Sequence, residues 1–206
     1  MPGKYGDILK IRQAGEAVLR QPARALSPGE IGSPAVQDLI ERMHETMRDA
    51  PGVGLAAPQV GVGLQIAVIE DRQDYHQALS REQLGEMERK PIPFHVLINP
   101  HLTVVGQDTA LFFEGCLSVA GFTALVPRAT RVQVSAYDEK GEPVLIDATG
   151  WYARILQHET DHLQGRLYVD TMLTRSFMSS GNHARHWKQH PIDEVCRRLG
   201  IKRPPA

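Results

Sequence analysis

Two histidines lie four residues apart in LQHETDHLQG (156–165), and a glutamate directly follows the first of them. On a helix, side chains at positions i and i+4 are neighbours, so His158 and His162 can reach one metal ion. Glu159 occupies the place at which the H-E-x-x-H pattern carries a general base. A catalytic metal normally takes three protein ligands and leaves one position for water. The pattern therefore predicts a catalytic metal site whose third ligand comes from elsewhere in the chain.

Three sources of the third ligand can be compared. A histidine six residues after the second would complete a longer zinc-protease pattern, but Tyr168 stands there. A downstream glutamate would complete a two-histidine, one-glutamate site, but the first glutamate after His162 is Glu194, near the C-terminus. Cys116 follows a glycine in EGCLS, and a thiolate with two imidazoles suits a softer metal such as iron(II) or zinc rather than magnesium. We therefore predict that Cys116, His158 and His162 bind the metal.

Two helices are predicted from hydrophobic periodicity. In segment 150–163, four residues recur at helical spacing and form one stripe, which turns both metal-binding histidines toward the interior. These residues are Trp151, Ile155, His158 and His162. An earlier helix is indicated by a serine followed by proline, Ser33-Pro34, and it should end near Ala50-Pro51. Its apolar face consists of Val36, Leu39, Ile40, Met43 and Met47.

Strands are predicted where apolar and β-branched residues cluster or alternate between turn residues. The segments are LQIAVIE (64–70), FHVLINP (94–100), FTALV (122–126), TRVQVSAYD (130–138) and PVLIDA (143–148). The turn at residues 138–141 makes the last two a predicted hairpin. Residues 71–93 are polar and charged, and we expect a surface insertion there. The predicted fold is α+β, with mostly antiparallel strands packed around a central metal-binding helix in one domain, residues 1–206.

Composition narrows the functional classes. The 206 residues are 42% hydrophobic with a net charge of −1, which suits one globular domain and argues against a surface built for DNA. No apolar run approaches the length of a membrane span, and the first residues lack the apolar region of a secretory signal. Two cysteines, Cys116 and Cys196, do not form a disulfide framework. We therefore expect a reducing cytoplasm, which keeps Cys116 available as a thiolate.

Three segments resemble, in order, the signature motifs of the peptide deformylases. They are GVGLAAPQ (52–59), EGCLS (114–118) and QHETDHLQG (157–165). The resemblance covers roughly residues 7–175, and EGCLSVAGF is similar to the branch that includes organellar enzymes, so an organellar location is implied if the chain is a processed form. The family resemblance implies a hydrolase of protein biosynthesis that removes the formyl group from the N-terminal formylmethionine of nascent polypeptides and releases formate.

The resemblance also implies a role for each matching residue. Cys116, His158 and His162 would hold the metal, and Glu159 would act as general base and then general acid. The side-chain amide of Gln59 and the backbone N–H of Leu117 would stabilise the oxyanion. Further substrate contacts are expected from Gly52, Val53, Gly54, Glu114, Gly115, Trp151 and Ile155. The glycines would let the backbone approach a peptide lying alongside as an added strand.

One departure from the family pattern is Thr123, at a position where many relatives carry an arginine near the peptide backbone. The expected native metal is Fe²⁺, with Zn²⁺, Ni²⁺ or Co²⁺ as substitutes. Residues 177–206 form a basic C-terminal tail, for which weak ribosome association is expected through charge attraction. Two alternatives remain: a zinc peptidase acting on unmodified peptides, and a non-catalytic domain with a structural zinc site, which would normally use four protein ligands.

Overall fold

The structure is a computed structural model in which residues 8–202 are described. Its α-helices are α1 (Pro28–Ile31), α2 (Pro34–Asp49), α3 (Arg81–Glu86), α4 (Gly150–Leu163), α5 (Ser180–His186) and α6 (Ile192–Leu199). Its strands are β1 (Gly54–Ala56), β2 (Ile66–Asp71), β3 (Ile92–Val104), β4 (Thr109–Gly115), β5 (Phe122–Ala129), β6 (Arg131–Tyr137), β7 (Pro143–Thr149) and β8 (Met178–Ser179). Short 3-10 turns occupy Ala17–Arg20, Ala57–Val60, Gln73–Ala78, Tyr168–Asp170 and Thr174–Ser176.

The strands form two antiparallel sheets. The larger sheet has the order β1-β2-β3-β6-β7, and the smaller has the order β4-β5-β8. In the larger sheet, the β3–β6 register shifts between Ile98 and His101, where Asn99 adopts a positive φ of 52°. The side chain of Asn99 bonds both backbone groups of Leu26, at 2.8 and 2.7 Å. This irregularity therefore ties the N-terminal segment to the sheet.

Strand β2 is buried on both faces because a helix covers each side of the sheet there. Ile66 and Val68 pack in the cluster that contains the apolar face of α2. Ala67 and Ile69 point the other way and pack in the cluster that contains α4. Side chains alternate between the two faces of a strand, so a continuous apolar run in the sequence serves two helices at once.

Helix α4 lies at the centre of the protein, between the two sheets. Ten of its 14 residues are buried. They include Arg154, Glu159 and Asp161, whose charges are therefore removed from bulk water. Buried charges need partners in the protein, and Arg154 and Asp161 obtain them from the smaller sheet, whereas Glu159 does not, as described below.

The predicted helices and the α+β arrangement are confirmed. The five predicted strands are present with shifted ends, most clearly for β3, which extends to Val104. Strands β1, β4 and β8 were not predicted. The predicted insertion at residues 71–93 contains the turn Gln73–Ala78 and helix α3, and it buries Asp71 and His76. The ends of the predicted domain, residues 1–7 and 203–206, lie outside the described residues.

None of the helices within residues 8–202 combines the length and the apolar character that crossing a bilayer requires.

The end of α4 depends on a glycine. Gly165 follows the C-cap residue Gln164, has a positive φ of 73°, and donates its N–H to His162 O at 3.2 Å. A Cβ atom there would come within 2.8 Å of the backbone carbon of Arg20 and 2.9 Å of its oxygen. The left-handed conformation and the close backbone approach both require glycine.

We expect Gly165→Ala to lower the free energy of unfolding by roughly 2–5 kcal/mol, the sum of left-handed strain and overpacking. Gly106→Ala is the matched control, because Gly106 also has a positive φ, of 81°, but a Cβ there would meet nothing within 4 Å. In that control the free energy of unfolding should fall only by the cost of the left-handed strain, about 1–2 kcal/mol. Urea unfolding of both variants measures the difference. Equal losses would show that contact with Arg20 does not constrain the helix end.

Candidate metal centre

Three possible metal-binding atoms converge between β4 and α4. The Nε2 atoms of His158 and His162 are 3.2 Å apart, and Cys116 Sγ lies 3.3 Å from His162 Nε2. One ligand atom from each residue lies within 4.8 Å of the other two. A tetrahedral ion with bonds of roughly 2.0–2.3 Å separates its donors by about 3.3–3.6 Å. The donor types and their spacing therefore fit one zinc- or iron-sized ion.

Sequence and backbone explain how these atoms meet. His158 and His162 are one helical turn apart on α4, which is buried around most of its circumference. Cys116 immediately follows β4, which ends at Gly115. A turn then begins, in which Val119 N donates to Cys116 O at 3.0 Å. The rigid helix and the end of a paired strand thus fix the ligands from two directions.

The ring of His158 is oriented by a carboxylate. Its Nδ1 lies 3.0 Å from Glu114 Oε2, so Nδ1–H donates there and Nε2 is left to face Cys116 and His162. A carboxylate behind a ligating histidine fixes the tautomer and raises the basicity of the ligand nitrogen. The side chain of Glu114 is thus directed at α4, although the residue also lines the neighbouring cavity.

Glu114 belongs to a buried ionic network. Arg128 donates two hydrogen bonds of 3.0 Å to Glu114 and also pairs with Asp161. Arg154 donates to Glu114 at 2.6 Å, and Arg166 reaches Asp161 at 2.7 Å. Glu114, Arg128, Arg154 and Asp161 are 5%, 7%, 3% and 6% exposed. Two positive and two negative buried charges balance one another, and they join β4, β5 and α4.

Burial and pairing act on these groups in opposite directions. Burial favours a higher pKa for Glu114, but the hydrogen bonds with His158 and Arg128 outweigh it and hold that pKa well below its ordinary value. Burial lowers the pKa of Arg154 to about 10, so the guanidinium stays charged at neutral pH. The network therefore keeps a carboxylate ionised in the interior.

Glu159 differs from Glu114 in lacking a fixed partner. It is 4% exposed, and its Oε2 has no hydrogen-bond partner among the described residues. Burial raises the pKa of Glu159 to about 7. A Cβ atom at Gly54 would lie 2.2 Å from Glu159 Oε1, so the glycine is what leaves room for this carboxylate.

Gln59 is buried, and its amide orientation is fixed. Its Oε1 accepts a 2.8 Å hydrogen bond from Ala56 N. Its Nε2 therefore faces Cys116 Sγ, at 3.5 Å, and Ser118 Oγ, at 3.2 Å. An amide donor is thus held beside the three possible ligands.

A cavity of about 410 Å³ opens beside these residues. Its wall includes every residue predicted to contact substrate, namely Gly52, Val53, Gly54, Glu114, Gly115, Trp151 and Ile155. Gln59, Leu117, Glu159, Cys116 and His158 also line it, whereas His162 is 1% exposed behind them. Thr123 does not line this cavity. It is buried, and its hydroxyl donates to Glu114 O at 2.7 Å.

Several residues of the site were missed by sequence reasoning. Arg128, Arg154 and Asp161 form the network, and Arg89, Phe122 and Ser180 line the cavity. For Arg154 and Asp161 a signal was present, because a helix with apolar residues on every face must pair its charges internally. Ser180 belongs to the basic tail, which β8 attaches to β5 through the pair Thr123 and Met178.

Comparisons with known proteins identify one family. The profile of the family described as polypeptide deformylase matches residues 8–177. Peptide deformylase 3 of Streptomyces avermitilis is 48% identical over 200 residues, which are 97% of this chain and 87% of the relative. Peptide deformylase 1A, chloroplastic/mitochondrial, of Arabidopsis thaliana is 46% identical over 197 residues, or 96% of this chain and 71% of the relative.

A solved structure is similar in fold. The Met-Ala-Ser-bound class I type b peptide deformylase from Acinetobacter baumannii has a TM-score of 0.72 and 32% sequence identity to this chain. The match covers 81% of this chain and 99% of that one. Sequence and structure thus place the chain beside the same group of proteins.

Replacing Glu114 by glutamine should weaken both the metal site and the fold. Metal affinity should fall about 10–100-fold, as for other partners of ligating histidines. The free energy of unfolding should fall by roughly 3–5 kcal/mol, because two buried arginines lose their shared counter-charge. Metal titration, and urea unfolding of metal-free protein, measure the two effects.

The matched control is Glu16→Gln, which removes a partly exposed carboxylate 3.4 Å from Arg12. That change should cost under about 1 kcal/mol and leave metal affinity unchanged. If Glu114→Gln behaves like this control, the buried network does not support the ligand.

Proposed function

The chain belongs to the polypeptide deformylase family, and from that premise we propose how its residues divide the reaction. The activity is metal-dependent removal of the N-formyl group from nascent polypeptides. The observation that carries the proposal is the convergence of Cys116, His158 and His162 beside the uncommitted carboxylate of Glu159 in one cavity.

We propose Cys116, His158 and His162 as the ligands of one divalent ion. When bound, the ion acts as a Lewis acid that polarises the formyl carbonyl and makes hydroxide available near neutral pH. The described residues offer only this three-donor group. Three donors suit a catalytic site, whereas a structural site normally uses four. This difference favours an enzyme over a domain with a closed zinc site.

We assign proton transfer to Glu159. Its free Oε2 accepts the proton of the attacking water and later delivers a proton to the amine nitrogen that leaves. The carboxylate is kept off the ligand set because Glu159 lies beside His158 on the helix and packs against Gly54. One residue can therefore serve both steps without moving away from the cavity.

We assign oxyanion stabilisation to Gln59 Nε2 and the backbone N–H of Leu117. Attack on the formyl carbon places negative charge on its oxygen, and preorganised donors in a water-poor site stabilise that charge. The Ala56 contact supports this role for Gln59, because it fixes the amide before substrate arrives. Leu117 adjoins Cys116 and lines the same cavity.

We propose that the peptide binds as an added strand between two sheet edges. β1 is the first strand of the larger sheet and β4 the first of the smaller, so each has one edge that no other strand within residues 8–202 pairs with. Residues 52–54 and 114–115, at or beside these strands, line the cavity. An extended peptide can bond to both edges, while Trp151 and Ile155 form the wall against the formylmethionine side chain.

A zinc peptidase can be distinguished from the proposed enzyme by the substrate it uses and the product it releases. A peptidase would cleave unmodified peptides at an internal bond, whereas the proposed enzyme releases formate and leaves the peptide intact. Both products can be quantified in one reaction with a formyl-Met peptide.

Three variants test the assigned roles. Glu159→Gln should retain the metal, and its turnover should fall by about 10²–10⁴-fold. His158→Ala should lose the metal, because two remaining ligands hold a divalent ion poorly. Cys116→Ser should weaken the metal or change its identity, since a hydroxyl ionises far less readily than a thiol.

Metal content and formate release are measured for each variant, with exposed Glu82→Gln as the control that should change neither. A metal-free Glu159→Gln protein would make the glutamate a ligand or an anchor. A fully active, metal-loaded one would remove it from the chemistry.

We propose Fe²⁺ as the native metal. A thiolate with two imidazoles accepts iron(II) as well as zinc. Protein purified without oxygen should contain iron, lose activity in air, and recover activity with Ni²⁺ or Co²⁺. Elemental analysis beside the formate assay measures this. Protein that contains only zinc and is insensitive to air would contradict the proposal.

We also propose weak ribosome association through the basic tail, and a location in the cytoplasm, or in an organelle for a processed chain. The basic residues concerned are Arg185, Lys188, Arg197, Arg198, Lys202 and Arg203, of which Arg203 lies outside the described residues. Arg185, Arg197, Arg198 and Lys202 are exposed, while Val195 and Cys196 pack inward against Leu111 and Leu125. Exposed cations on a packed helix can attract RNA phosphates without unfolding.

A further inference from the structure

The segment before β3 is bound to the start of helix α4. Trp151 N donates to Met87 O at 2.8 Å, and Thr149 Oγ1 donates to Glu88 Oε2 at 3.0 Å. Gly150 has a positive φ of 56°, and a Cβ atom there would lie 2.4 Å from Glu88 Cβ and 2.7 Å from Met87 O. The backbone at residues 87–88 thus touches the helix that carries two proposed metal ligands.

The next residue, Arg89, is held rigidly. Its Nε and Nη2 donate to the two carboxylate oxygens of Asp71 at 2.7 and 2.8 Å. Asp71 is fully buried at 0% exposure, and the ring of His76 lies 3.2 Å from its Oδ1. A bidentate pair of this kind fixes the plane of the guanidinium. The pair also joins the two ends of the insertion.

Arg89 uses this fixed plane to support a tryptophan. Its Cζ lies 5.1 Å from the centre of the Trp151 ring, and Arg154 Cζ lies 6.0 Å from that ring. Phe112 meets the same ring edge-on at 6.3 Å. Arg89 and Trp151 both line the cavity. The orientation of this part of the wall therefore depends on a residue from the insertion.

We propose that Arg89 is a positioning residue that sets which first side chain the enzyme accepts, by fixing Trp151 through stacking. The proposal rests on the proposed function, in which Trp151 borders the formylmethionine side chain. A fixed wall admits an unbranched side chain of methionine size and excludes bulkier ones. Arg89 takes no part in proton transfer, so its loss affects KM and the selectivity for the first side chain more than it affects kcat.

The principal test is the pair Asp71→Asn with Arg89→Gln in one protein, which removes both buried charges together. We measure kcat and KM on formyl-Met-Ala-Ser and formyl-Phe-Ala-Ser. A misfit of one methylene in an apolar pocket is worth about 10–200-fold. Once Trp151 is no longer held in place, part of this discrimination should be lost. The preference for the methionine substrate should therefore fall by roughly 5–20-fold. The change should come mainly from KM, and the metal content should stay the same.

Arg89→Lys is the second variant, because it keeps a cation beside Asp71 but has no planar group to stack on the indole. Arg89→Lys should shift substrate selectivity in the same direction, and it provides the test if the double variant does not fold. Arg72→Gln is the matched control. Arg72 also donates twice to an aspartate, Asp74, at 3.1 and 2.7 Å, and lies 5.6 Å from the ring of Tyr75, but it is exposed and outside the cavity. Arg72→Gln should change neither kcat nor KM on the two peptides.

Tryptophan fluorescence tests the contact without substrate. The chain has two tryptophans, so Trp187→Phe leaves Trp151 as the only reporter. In that background, both Arg89 variants should show increased acrylamide quenching and Arg72→Gln should not. Unchanged selectivity and quenching in metal-loaded Arg89 variants would overturn the proposal. A parent protein that releases no formate would instead refute the proposed function, while quenching would still report on the contact.

Discussion

The rest of the site depends on the hydrogen bonds and ion pairs that the carboxylate of Glu114 forms. It accepts hydrogen bonds from Arg128 on β5, from Arg154 on α4 and from His158, so one side chain links the smaller sheet to the central helix. A carboxylate this deeply buried is costly unless its charge is paired and its oxygens are bonded. Both conditions hold here, and satisfying them also orients a proposed metal ligand.

Position along the chain explains how one strand achieves this. Glu114 is in β4 and Cys116 follows two residues later, so a single segment supplies both the support of one ligand and another ligand itself. Any shift of β4 relative to α4 would disturb the ion-pair network and the distance between Cys116 Sγ and His162 Nε2 together. Stability and metal geometry are therefore not independent properties in this protein.

Local spacing made part of the site predictable. The two histidines and Glu159 lie within five residues, and helical geometry alone brings the histidines together. Cys116 could be reached by elimination and by its motif. The helix stripe was predicted correctly for His158 and His162, but α4 is buried on almost all sides, a property that a one-stripe pattern understates.

The pairing of charges within the supporting network was not predictable, because the partners are distant in sequence. Arg128 is 14 residues from Glu114 and 33 from Asp161, and Arg154 is 40 from Glu114. Periodicity says which face of an element is buried, but not which charge will lie opposite another. Strand β4 was missed for a related reason: Phe112 and Phe113 are adjacent and both partly buried, so the alternation expected of a half-buried strand is weak.

Enclosure of α4 also explains where the reactive atoms are. Buried polar atoms in proteins are nearly always hydrogen-bonded, and the charged groups around Glu114 follow that rule. Glu159 Oε2 is one of nine buried side-chain atoms among the described residues that have no hydrogen-bond partner, and it lies on the helix that carries two of the proposed metal ligands. A carboxylate that is desolvated without a fixed partner is free to exchange protons with substrate, whereas a paired one such as Glu114 is not. The same interior thus separates two glutamates according to which partners reach them: Glu114 is paired and structural, whereas Glu159 is unpaired and suited to the proton transfer proposed for it.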